Sequence, residues 1–134
     1  MTAFDIRVTL VAEETGKLLA TATREMVASA YLPRVGETVE HEGLMPFEVI
    51  NSGDGGRLLG EPLVVTAIAH SVKRGVGGAV RPPVVNVRTR VEEGATAFIV
   101  SRLEREGWAI TRDANTLTRL DTWVHQDKMV MAGG

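Results

Sequence analysis

The 134-residue chain contains no cysteine, which excludes a disulfide framework, a thiolate metal site, a cysteine nucleophile and a thiol redox couple together. That absence suits a reducing, cytoplasmic setting. Long hydrophobic runs are missing as well. Nowhere do the roughly 18 consecutive apolar residues of a membrane span occur, and Asp5 and Arg7 interrupt the place where an export signal would be apolar. Neither export nor membrane insertion is expected. An excess of one charge sign is also lacking: 15 Lys and Arg against 17 Asp and Glu leave a formal charge of −2 and a pI near 5.9. No global field therefore draws the chain to nucleic acid or anionic lipid.

What is present suffices for one domain over 1–134. Hydrophobic residues make up 44% of the chain, and at this length about two-thirds of the unfolded surface is hidden on folding. Phe4, Ile6, Val8, Leu10 and Ala12 alternate with Asp5, Arg7 and Thr9, the period of a half-buried strand. Glu13 to Lys17 break the pattern around Gly16 before Leu18, Ala20 and Ala22 resume it, so the first element reads as a β-hairpin. A helix through Leu19, Ala22, Met26 and Ala30 is the competing period. Short strands are expected over 35–43, 62–72 and 84–91, the first and second separated by a stretch that is mostly loop. Ala95, Phe98, Ile99 and Leu103 form the apolar stripe of one amphipathic helix over about 95–106, with Gly107 as its stop. Trp108 and Ile110 open a last strand, and 116–131 fits strand or helix. The expected class is α+β, mostly β: an antiparallel sheet or small barrel with the helix packed on it.

From Leu32 onward Pro33, Val35-Gly36-Glu37-Thr38-Val39, a valine-rich strand ending in Ala69-His70, a basic turn and Pro82-Pro83-Val84-Val85-Asn86-Val87-Arg88 follow in order. This succession resembles the opening of SH3-like small barrels. The resemblance covers about half the chain and implies a binding surface for a peptide, a nucleic acid or another copy. It departs from the peptide-binding members in one respect: Phe47 is the only aromatic between 32 and 91, so an aromatic-lined groove for proline-rich peptides is not expected.

Motifs for chemistry are sparse. Glu40-His41-Glu42, with His70 or His125 arriving from elsewhere, is the best metal candidate, but in a strand His41 points away from its two acidic neighbours, which suits a solvated edge better. Gly53-Asp54-Gly55-Gly56 carries an acid where a phosphate would sit, and Gly75-Val76-Gly77-Gly78 lacks the Lys-Ser/Thr that follows in a phosphate loop. No serine lies in a Gly-x-Ser-x-Gly elbow, and no paired carboxylates flank a cleft. No catalytic residue, cofactor or metal is expected.

The charges are the informative feature. From 35 to 56 the chain holds Glu37, Glu40, Glu42, Glu48 and Asp54 and no base, while 71–91 holds Lys73, Arg74, Arg81, Arg88 and Arg90 and no acid. Two uses follow: cross-strand pairing within the sheet, or faces of opposite sign that select a partner or a second copy. Near the C-terminus Met129, Val130 and Met131 form an adaptable apolar run. It serves either to complete the core beside Trp108 or as an arm over 125–134 that reaches a neighbour.

The functional expectation is a non-enzymatic protein-binding or assembly module whose partner is another protein or further copies of itself, as a homo-oligomer. Its speculative contact residues are Glu37, Glu40, Glu42, Lys73, Arg74, Arg81, Arg88, Arg90 and Met129 to Met131. A nucleic-acid accessory protein using the basic 73–90 segment ranks second, since no aromatic there offers base stacking; a small cofactor-free enzyme ranks third. Twelve arginines against three lysines suggest a bacterial or phage coding sequence.

Overall fold

The computed structural model describes residues 1–50, 59, 62–72 and 80–112. Strands β1 (Thr2–Ala12) and β2 (Leu18–Ser29) form the expected hairpin, with Val8 opposite Ala22 and Leu10 opposite Ala20. The alternation predicted for β1 is the burial pattern observed: Phe4, Ile6, Val8 and Leu10 are buried on one face. At the turn Gly16, at φ +72°, donates its amide to the Ala12 carbonyl at 2.8 Å, a backbone conformation that a side chain would strain.

The remaining elements are β3 (Thr38–Val39), the single turn α1 (Phe47–Ile50), β4 (Leu63–Ala69), β5 (Val84–Val91), α2 (Thr96–Arg105) and β6 (Ala109–Thr111). The strands form one six-stranded sheet in the order β3-β4-β5-β1-β2-β6, an α+β architecture dominated by strand. The sheet is mixed, with edges at β3 and β6: β1 and β5 lie parallel at its centre, Ile6 beside Val85 and Leu10 beside Thr89, while the other pairings are antiparallel. Parallel neighbours need a long connection, and the whole segment from β2 through β4 supplies it. Because β6 is antiparallel to β2, it runs in the same direction as β5, and α2 carries the chain between them across the face of β1 and β2.

That helix differs from its predicted stripe at two positions, Phe98 and Val100. Ile99, Val100 and Leu103 are buried, whereas Phe98 is 48% exposed. The three buried positions fall within about 100° of one another around the axis, and Phe98 lies well outside that arc. Gly107, at φ +94°, ends the helix, and its neighbour Trp108 turns into the core at 3% exposure.

Two further expectations are corrected. The strand anticipated over 35–43 is only Thr38–Val39, because Gly36 adopts φ +93° and leaves strand geometry even though its amide donates to the Val65 carbonyl. Residues 41–45 instead form a tight turn, with the amides of Leu44 and Met45 both donating to the His41 carbonyl, and α1 follows Pro46 where loop was expected. Asn86, placed with the solvent-facing side chains by its alternation, is buried between Arg7 and Thr66; Arg7 reaches its Oδ1 at 3.5 Å and Thr66 Oγ1 donates to its carbonyl.

Candidate functional site

α2 and the three residues of β6 cover one end of the β1–β2 hairpin: β6 pairs with Thr21 to Thr23 alone, and β2 continues beyond it to Ser29. Toward that end of β2 lies an open groove of about 1340 Å³. That exceeds the roughly 300–1,000 Å³ of small-molecule pockets and suits a length of chain or a protruding surface. Val27 on its sheet side and Leu44 of the 41–45 turn opposite are half-buried, and Phe4, Ile6 and Met45 lie buried behind them.

Its charged lining is nearly of one sign. Glu37, Glu40 and Glu42 line the bank contributed by β3 and the following turn, and Glu106 lies at the C-terminal end of α2; Arg24 is the one cation among the described lining residues. Arg24 is itself engaged, donating from Nη1 to the Glu106 carbonyl at 3.3 Å and resting 5.7 Å from the centroid of the Trp108 ring. Glu37 accepts a 2.6 Å hydrogen bond from the Arg34 amide, while Glu40 and Glu42 are exposed. Glu48, although in the same acidic segment, turns to α2 and pairs with Arg102 at 3.3 Å. The backbone hydrogen bond at Glu48, and after it the Arg102 guanidinium, hold its carboxyl below the ordinary carboxylate range.

Arg88 and Arg90 lie on the face of β5 opposite the buried Val85 and Val87. The parallel register sets Arg7 beside Asn86, Thr9 beside Arg88 and Val11 beside Arg90, opposite in direction to the buried Ile6, Val8 and Leu10. Arg88 and Arg90 are exposed, as is Arg81 at the approach to β5. On the same face Asp5, beside Val84, uses Oδ1 to accept the Met26 amide at 3.0 Å. β4 lies between β3 and β5, so the two charged segments are not neighbouring strands. Among the described residues none of Glu37, Glu40 and Glu42 pairs with Arg81, Arg88 or Arg90; the described ion pairs are Lys17–Glu93, Arg102–Glu48 and Arg112–Glu104. Pairing between the two segments through Asp54, Lys73 or Arg74 falls outside the described residues.

Nothing matches the chain among family models, curated proteins or solved structures. The site therefore stands on its own geometry. Lys73, Arg74 and Met129 to Met131, together with the proposed arm over 125–134 and both glycine clusters, lie outside the described residues. His41, read from the sequence as a surface residue, is buried at 6% exposure, and among the described residues no three His, Asp or Glu side chains gather closely enough to hold a metal ion. No described helix is long and apolar enough to cross a membrane. Sequence reasoning found the acids but not the groove. Phe4, Ile6 and Val27 carry the same alternating signal whether they lie under a helix or beside an open groove, and Arg24 and Glu106 meet only because β6 brings the end of α2 alongside β2.

Proposed function

We propose that the chain is a non-enzymatic protein-binding and assembly module, and that its acidic groove receives a cationic, partly apolar segment or surface of a partner. The observation that carries this reading is the combination in one concavity of the half-buried Val27 and Leu44 with four carboxylates against a single, already engaged guanidinium among the described lining residues. The half-buried Val27 and Leu44 offer apolar surface to a partner, and the carboxylates select the sign of the partner and its register. The composition fits a bacterial or phage protein working in the cytoplasm, with further copies of itself among its partners.

Anisotropy of a labelled short peptide alternating Lys with Val tests the groove. Binding is expected at low salt, weakened at least about tenfold in Glu40→Lys/Glu42→Lys and unchanged in Glu13→Lys, on the hairpin turn, because charges beyond a Debye length of about 10 Å at 0.1 M are largely screened. Equal binding by all three proteins contradicts the reading. The exposed Arg88 and Arg90 favour one alternative, contact with nucleic-acid phosphates. That alternative requires oligonucleotide binding abolished by Arg88→Glu and untouched by the groove substitutions.

A further inference from the structure

We infer that the partner segment enters the groove as an added strand, pairing its backbone with the free edge of β2; this rests on the groove reading above and names its occupant, a short extended segment that alternates cationic with apolar residues. β2 runs from Leu18 to Ser29, and its two edges are not treated alike. On one side β1 accompanies it to the end, Thr2 standing opposite Ser29. On the other side β6 pairs with Thr21 to Thr23 alone, so among the described residues no strand lies beside Arg24 to Ser29. At about 3.3 Å per residue that edge is about 20 Å long, and the alternation of a strand turns half of its backbone amides and carbonyls away from β1. The same stretch is one bank of the groove, which Arg24, Val27 and Ser29 all line.

Charge and shape together select the occupant. Val27 stands opposite Phe4, on the face that also carries the buried Ile6. A strand added beside it sends alternate side chains to that face. Lysines there lay their aliphatic stems along the half-buried Val27 and Leu44 and turn their ammonium groups to the exposed Glu40 and Glu42. Met26 argues against a longer or self-paired occupant. Its left-handed backbone, φ +56°, and the register slip between Phe4 and Ile6 put a bulge in this edge, and its amide already donates to Asp5 Oδ1. A bulged edge resists a long flat strand, the same edge of a second copy included. It leaves Val27 to Ser29 for a short one, as long a run as β6 itself pairs with.

Two backbone-methylated forms of the Lys–Val peptide test this against the full chain. In a strand the amides of successive residues point to opposite edges, so N-methylation of every valine blocks one edge and N-methylation of every lysine blocks the other, with all side chains kept. Anisotropy is expected to show one form weakened at least about tenfold and the other within about twofold of the parent, since a single edge of the added strand meets β2. Hydrogen exchange, followed residue by residue, is expected to slow at the amides between Arg24 and Ser29 that face away from β1 when the parent peptide is added. Parent-like binding by both methylated forms, with exchange at these amides unchanged, overturns the added strand and leaves the groove reading standing. Equal weakening of both forms overturns it too, because the backbone contacts would then lie on both edges of the peptide. So does slow exchange throughout Arg24 to Ser29 in the free chain, where another segment or a second copy would already hold the edge. If the parent peptide does not bind, the added strand and the groove reading both fail.

Discussion

Met26 holds a left-handed backbone, φ +56°, on an exposed stretch of β2 where the β1–β2 register slips between Phe4 and Ile6. The Asp5 carboxylate secures its amide, and the extra residue bends the strand toward the groove-lining segment that begins at Val27. A side chain in this region costs about 1–2 kcal/mol, while glycine costs about 0.5–1 kcal/mol through the unfolded state. Met26 is 67% exposed and buries little, so Met26→Gly is expected to raise stability by up to about 1 kcal/mol in urea denaturation, whereas the β-branched Met26→Val lowers it. Losses of similar size in both variants would show that the thioether packing matters more than the backbone. The correction on α2 is equally local. Leu103→Ala is expected to cost about 2–5 kcal/mol; Phe98→Ala, at the half-exposed position, and Arg105→Ala are expected to stay within about 0.5 kcal/mol. A large loss at Phe98 would restore the stripe read from the sequence.

Elements were legible where a single local period decides them. The β1 alternation, the turn at Gly16, the run of β5 and the stop at Gly107 each depend on residues a few positions apart, and each is found as read. β3 was overextended because Gly36 satisfies a strand pattern on paper but takes a positive φ in the fold. The β1–β5 parallel pairing and the crossover by α2 were invisible, since no local pattern records which distant strand becomes a neighbour. The same blindness hid the α1–α2 contact, in which Glu48 joins a helical turn absent from the sequence reading to Arg102 on the confidently read helix. Its consequence is a pH dependence with a definite sign. The folded-state pKa of Glu48 is lowered from 4.5, so its contribution is fully present above that value and is lost as pH falls through the folded pKa. Tm is expected to decline on acidification below about pH 4.5, and Glu48→Gln to remove part of that decline. An identical acid profile for the two proteins would mean that the Arg102 pairing has no thermodynamic weight.

For the molecule as a whole, charge segregation was readable from the sequence and its purpose was not. Acids over 35–56 and bases over 71–91 are equally compatible with neighbouring strands that neutralise each other, and it is the insertion of β4 that keeps β3 and β5 from being neighbours. Water satisfies exposed carboxylates such as Glu40 and Glu42 as readily as a partner does, so the proposal rests on the groove wall that they share with the half-buried Val27 and Leu44. The measurement closest to this claim is a ¹H–¹⁵N correlation titration with the Lys–Val peptide, which locates the contact residue by residue. The account predicts that shift changes concentrate at Val27 to Tyr31 and Glu37 to Met45, the two banks of the groove. Changes confined to Arg88, Arg90 and their neighbours, or none at about 1 mM peptide, a weak-binding limit of about −4 kcal/mol, would contradict it.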